Sequence, residues 1–218
     1  MNEMLLVSPA KKNKTLLLMH MDKVGTRNYT DECGTNITVY PTAGLMRAGK
    51  IGGAGYFNRS GNESGLVIPQ FSWIPGNSDW TQEFWCTRFS TATYMAAISV
   101  DPSAASIDFD SYGYASFYIN GLLIYSVPAH TVGLNNAWGH VAFVKDGDNF
   151  KLFINGVLYK TIAAASNAKL QNVVFRPFSL VSIVGSHNYA QYCDELRISN
   201  VARYKEAFTP QLTNFVLD

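Results

Sequence analysis

Residues 136–157 read NAWGHVAFVKDGDNFKLFINGV, and this stretch decides the fold. His140–Lys145 and Phe150–Ile154 are short runs rich in β-branched and aromatic residues, and the DGDN of Asp146–Asn149 between them has tight-turn chemistry. Asn155-Gly156 follows, and both residue types tolerate the positive φ that a type I′ hairpin turn demands. Val157–Ile162 is then the returning strand. The same turn chemistry recurs at Asn120-Gly121, where FYINGLLIYSV (117–127) has the form of LFINGVLYKTI (152–162). Two copies are too few for a propeller or solenoid, so each reads as one hairpin.

Working outward, Thr15–Met21, Ile37–Tyr40, Glu83–Phe89, Tyr94–Val100, Tyr114–Ile119, Leu180–Val184 and Tyr192–Ile198 carry the same strand signals, bounded by Gly, Pro, Asn or Asp. Helical periodicity is scarce. Only Ala202–Phe208 predicts a helical turn, which Pro210 stops, and the remaining tail is expected to wrap the domain. So many short strands in 218 residues, 47% of them hydrophobic, predict an all-β sandwich or barrel with a substantial core. Met1 to about Lys14 has the composition of an arm, so the division expected is an arm over 1–14 and one domain over 15–218.

Composition narrows the function. Charged residues make up 15% of the chain, below the roughly 25% usual for soluble proteins, and seventeen Lys plus Arg against sixteen Asp plus Glu leave +1. No basic field is available to hold nucleic acid by counterion release. A surface this weakly charged suits a protein packed against neighbours. No run approaches the 18 or so apolar residues of a membrane-spanning helix, and the N-terminus lacks the pattern of an export signal. Cys33, Cys86 and Cys193 are an odd number without CxxC spacing, which reads as buried free thiols. Sequons beginning at Asn28, Asn36, Asn58 and Asn62 are by-products of a chain rich in these residues.

Five blocks in order carry a family resemblance: TLLLMHMD (15–22), AGKIGGAGYFN (48–58), SDWTQEFWC (78–86), the opening stretch, and SIVGSHNYAQYCDELRISNVARYKEAFTP (182–210). Together they resemble the laminin-G-like branch of the concanavalin A-like lectin/glucanase superfamily, over nearly the whole chain after the arm. The resemblance implies an all-β, two-sheet antiparallel jelly-roll sandwich. Trp85, Trp138 and His140 are expected in its core. Arg197 and Arg203 are expected to pair with Asp194 and Glu195.

Glucanases of this superfamily place two carboxylates near a Glu-x-Asp-x-x-Glu arrangement, whose i and i+2 side chains share a face beside the scissile bond. Asp108-Phe109-Asp110 lacks the glutamates, and Asp194 and Glu195, as neighbours on a strand, are expected on opposite faces. Neither a nucleophile elbow, an H-E-x-x-H motif nor a Walker A loop is present. The chain therefore reads as no enzyme. Calcium is the one ion the family implies: Asp22 and Asp194, on the first and last strands, could hold structural Ca²⁺ or simply accept backbone amides.

Two function classes follow. The resemblance, with low charge and no export signal, implies a non-catalytic virion structural or adhesion protein, such as a phage capsid decoration, head fibre or tail-associated protein. It would be made in the host cytoplasm and would contact other virion proteins or itself. The alternative is a carbohydrate-binding module for cell-surface or extracellular glycans. Its candidate stacking residues are Trp73 and Trp80, which bracket a turn-rich loop, and Tyr189 and Tyr192 in HNYAQY.

Overall fold

A computed structural model describes residues 14–22, 28–39, 49–52, 56–59, 65–67, 78–88, 96–98, 105–109, 112–167, 170, 179–181 and 190–218. Nearly all the regular structure among them is antiparallel β. The central sheet contains β1 (Thr15–Met19), β15 (Ala190–Ser199), β6 (Trp80–Arg88), β11 (Gly139–Asp146), β12 (Asn149–Ile154) and β13 (Val157–Ala163) in that spatial order, with β4 (Tyr56–Arg59) added to β15. A four-stranded sheet runs β10 (Leu122–Pro128), β9 (Tyr114–Ile119), β8 (Ala105–Phe109), β7 (Ala96–Ile98). A third, smaller sheet joins β14 (Ser179–Val181), β5 (Gly65–Val67), β3 (Asn36–Val39) and β2 (Asn28–Thr30).

The period-2 pattern explains the two main layers. On β9, Ala115, Phe117 and Ile119 are buried while the residues between them are not. The buried set meets Trp80, Phe84, Val141, Phe143, Phe150 and Leu152 of the central sheet, giving one inter-sheet core. Central strand β11 is buried almost throughout because it is covered on both faces: Val141 and Phe143 point into that core, and Ala142 and Val144 pack under Tyr204 and Phe208 of the C-terminal segment. That double coverage is why VAFV reads as a continuous apolar run. Pro128 ends β10 at the sheet edge, where its missing N–H costs no ladder bond.

Both Asn-Gly turns adopt the expected left-handed backbone, with φ of 51° and 67° at Asn120-Gly121 and 50° and 78° at Asn155-Gly156. The turn at Asp146–Asn149 closes with Asp146 paired to Asn149. Ala202–Phe208 departs from its expectation and forms no helix. Its amides bond outward instead: Arg203 N–H donates to Thr81 Oγ1 at 2.9 Å and Phe208 N–H to the Gly156 carbonyl at 2.9 Å. The Tyr204 and Phe208 rings stack at 3.5 Å. The tail does wrap the domain, with Phe215 buried beside Leu18, Ile51 and Trp85. Residues 1–13 of the expected arm lie outside the described residues. Lys14 is tied to the domain, its N–H donating to the Asp218 carbonyl at 2.6 Å.

Candidate functional site

Among the described residues, three groupings of polar or exposed side chains could carry function. The first lies on the outer face of the central sheet, under the tail. Glu83 of β6 is fully buried and accepts from Arg197 Nε at 2.9 Å, His140 Nε2 at 3.1 Å and Tyr204 Oη at 2.7 Å. Burial alone raises its carboxyl, but the His140 hydrogen bond, the Arg197 and His140 charges and the Tyr204 hydroxyl together hold it below its ordinary value. His140 is ringed edge-on by Trp85, Phe208 and Phe215. A carboxylate saturated by donors and sealed under aromatic rings reaches no substrate. Arg197 and Arg203 therefore do not pair with Asp194 and Glu195 as expected. Arg197 takes Glu83, and Arg203 takes Asp218 at 2.5 Å.

The reason is a β-bulge. The β15–β6 register shifts between Asp194 and Arg197, and Glu195 has a φ of 49°. The extra residue overturns the expectation that Asp194 and Glu195 occupy opposite faces. Asp194 Oδ2 accepts the amides of Lys50 at 2.7 Å and Ile51 at 2.9 Å, while Glu195 Oε2 accepts the Phe215 amide at 2.7 Å. Ile51 and Phe215 belong to one cluster on the outer face, so both acids serve that face. Burial, reinforced by the Glu195 charge and opposed by the amides, pushes the Asp194 carboxyl up to about 7. Burial raises Glu195 as well, against the Phe215 amide and His20.

This second grouping bears on calcium. Asp22 and Asp194 do converge on the Lys50–Gly52 turn, where a Cβ on Gly52 would strike the Asp22 carboxylate. Yet Asp194 is spent on three amides, including that of Glu195 at 2.9 Å, and Glu195 is spent on His20 Nδ1 at 2.8 Å and Phe215. Among the described carboxylates, Asp22 Oδ1 is the one buried oxygen without a partner. Among the described residues no three His, Cys, Asp or Glu side chains gather around one point. The described side chains therefore do not fit a hard cation that takes six to eight oxygens.

The third grouping is open to solvent. Pairing of β9 with β10 sets Tyr114 beside Pro128, Ser116 beside Ser126, and Tyr118 beside Leu123 on the face opposite the core. Tyr112, in the turn before β9, is 87% exposed, Leu123 50% and Tyr114 41%. The Ser116 and Ser126 hydroxyls lie 3.0 Å apart at the middle of the strip. At ~3.3 Å per residue, Tyr114 and Tyr118 stand about 13 Å apart along the strand. The strip contains no Asp, Glu, Lys, Arg or His. Aromatic faces with hydroxyls between them stack on apolar C–H faces and bond hydroxyl groups.

The expected stacking residues fare differently. Trp80 is wholly buried and packs on Phe150 at 6.0 Å, so it offers no ring face to a ligand. As the first residue of an inner strand it alternates with Phe84 and Cys86 into the core, which corrects its reading as a stacking residue at the edge of a turn-rich loop. Trp73 and Tyr189 lie outside the described residues. Tyr192 is placed by its backbone, paired with Thr87 and Phe57 within β15. The tyrosine strip escaped the sequence reading, although the alternation in Tyr114–Ile119 carried its signal.

The two packed antiparallel sheets among the described residues define a lectin-type, jelly-roll β-sandwich. Residues 60–211 match Laminin_G_3, of the concanavalin A-like lectin/glucanases superfamily, and the chain belongs to this family. No curated protein matches the sequence. Among solved structures, the binding domain of Paraclostridial Mosquitocidal Protein 1 is similar with a TM-score of 0.67 at 16% identity, over 88% of this chain and 49% of that one. The receptor binding domain of botulinum neurotoxin C/D mosaic serotype gives 0.63 at 12% identity, over 88% and 49%. A mutant of Trypanosoma rangeli sialidase displaying trans-sialidase activity gives 0.59 at 9% identity, over 88% and 31%. The chain thus spans about half the length of the two toxin domains and under a third of the sialidase. At these identities the likeness is one of fold.

Proposed function

We propose that the chain is a non-catalytic adhesion module that binds uncharged glycans across the outer face of β9 and β10. The strip of exposed Tyr112 and Tyr114, half-buried Tyr118 and the hydroxyls of Ser116 and Ser126 carries this reading. Family membership supports it, as do the names of two structural neighbours, a binding domain and a receptor binding domain. Against catalysis stands the condition of the described buried acids: Glu83 is sealed, and Asp194 and Glu195 are bonded to the backbone. Trp73, Tyr189 and Tyr192 remain proposed as further stacking residues.

A glycan array probed with the full chain tests the site. Binding is expected for the native protein and for Trp73→Ala, and is expected to fall at least about tenfold (~1.4 kcal/mol) in Tyr114→Ala with its melting temperature unchanged. Full binding by a doubly substituted Tyr112→Ala/Tyr114→Ala protein would reject the strip. Loss in Trp73→Ala alone would move the site to that loop.

The setting proposed for this module is a virion surface, as a capsid decoration, head fibre or tail-associated protein. The 15% charged composition and near-zero net charge favour a chain packed among neighbours. Mass spectrometry of purified particles should find the chain at a fixed ratio to the major shell protein. Its absence from them would leave the glycan module and remove the virion.

A further inference from the structure

Cys86 and Cys193 stand directly opposite each other in the antiparallel pairing of β6 and β15, and both side chains lie in the inter-sheet core. Opposed residues of an antiparallel pair share a face and hold their Cα atoms about 4.5–5.5 Å apart. That separation falls inside the roughly 4.4–6.8 Å window a disulfide needs. Cys33 is elsewhere. Its thiol donates to the Thr15 carbonyl at 3.7 Å and packs against the cluster of Leu18, Trp85 and Phe215, on the outer face of the same sheet. A full sheet thickness separates it from the other two. The odd number of cysteines thus resolves into one registered pair and one bystander.

We infer that Cys86 and Cys193 form a cross-strand disulfide when the chain folds in the presence of an organic disulfide oxidant, with Cys33 left as a thiol. The thiolate of one cysteine attacks the oxidant, forming a mixed disulfide and releasing one small thiol. The second cysteine attacks the protein sulfur of that mixed disulfide and releases the second small thiol. The protein loses two electrons, the oxidant gains them, and the two cysteine protons end on the two released thiols. The bond closes during folding rather than after it. In the native sandwich burial pushes both thiols well up, and the Cys86 and Asp194 charges add to the shift at Cys193, so the attacking thiolate is scarce. The product ties the closing strand to the strand that carries Glu83.

The full chain is unfolded in urea with reductant and refolded in oxidised and reduced glutathione. Remaining thiols are blocked with iodoacetamide under denaturing conditions, and unreduced peptides are mapped by mass spectrometry. The native-like monomeric fraction should yield a Cys86–Cys193 linked peptide, alkylated Cys33, and a urea midpoint above that of chain refolded with reductant. Cys33→Ser should give the same linkage and the same rise, whereas Cys193→Ala should give no rise. Alkylation at all three positions, or a linkage that includes Cys33 in that fraction, would overturn the inference.

Discussion

Arg197 and Glu83 face each other across β15 and β6 as an ion pair shut away from water, with Arg197 Nη2 2.8 Å from Glu83 Oε1. Removing two charges from water costs several kcal/mol each, which only a full set of partners offsets. Here His140 and Tyr204 fill the other carboxylate oxygen, and the Phe215 ring lies 4.4 Å from the guanidinium. Glu83→Gln keeps the shape and strands Arg197. We expect a loss of about 3–5 kcal/mol in urea unfolding, and partial recovery in Glu83→Gln/Arg197→Met. An unmoved midpoint in the single variant would show that the pair contributes nothing.

The partnered acids give stability opposite pH dependences. Glu83 and Asp218 have folded values below their unfolded ones, Asp218 at about 2 through its Arg203 hydrogen bond. Their contribution is present above the unfolded carboxylate range and is lost as pH falls through the folded values. Asp194 is the reverse: raised from 3.8 to about 7, it is protonated in the folded chain where the unfolded chain has ionised. Between those values the folded state binds more protons, so the Asp194 term makes stability fall as pH rises. Melting curves of native protein and Asp194→Asn across pH 4 to 7 should show the substitution removing a downward slope. Parallel curves would contradict that assignment.

Calcium should leave the protein's melting temperature unmoved, and so should EGTA. Any ligand that binds the folded chain alone stabilises it in proportion to RT ln(1 + [L]/Kd). The carboxylates around the Lys50–Gly52 turn have one buried oxygen to offer, on Asp22, because Asp194 and Glu195 already hold amides and His20. A calcium-dependent rise abolished by Asp22→Asn would reverse this reading of the turn.

Much of the fold was legible because short-range chemistry and long-range packing agree. Asn120-Gly121 and Asn155-Gly156 require positive φ, and the flanking period-2 runs already mark which side is core. What the sequence hid depends on contacts between distant segments. Trp80 looks like an exposed flank of a turn-rich loop until β6 is seen to start at it and carry it against Phe150. The acid pair of Asp194 and Glu195 looks split between faces until one bulged residue turns both the same way. Glu83 gains its partners from β11, β15 and the tail, over separations of 57, 114 and 121 residues that local pattern does not encode. The tyrosine strip was hidden differently: its alternation was visible, but the exposure of its rings depends on the sheet packing behind it.

Gly156 shows how the hairpin tip and the tail constrain each other. Its φ of 78° already disfavours a side chain, and a Cβ there would run into the Phe208 carbonyl oxygen and lie 3.0 Å from Pro210 Cδ. The close approach lets the Phe208 amide donate to the Gly156 carbonyl, seating the tail over Ala142, Val144 and Phe153. Gly147 provides a matched control, with a φ of 56° and nothing within 4 Å of its Cβ position. Gly147→Ala should therefore cost only the backbone term of about 1–2 kcal/mol. Gly156→Ala should cost that and part of the tail's packing, where burial of one large apolar side chain is worth about 1.5–3 kcal/mol. Limited proteolysis under native conditions should release the C-terminal segment from Gly156→Ala and spare it in Gly147→Ala. Equal losses in the two variants, with the tail equally protected, would mean that the seat at Gly156 does not hold the tail down and that Phe208 and Phe215 are anchored by the sheet face alone.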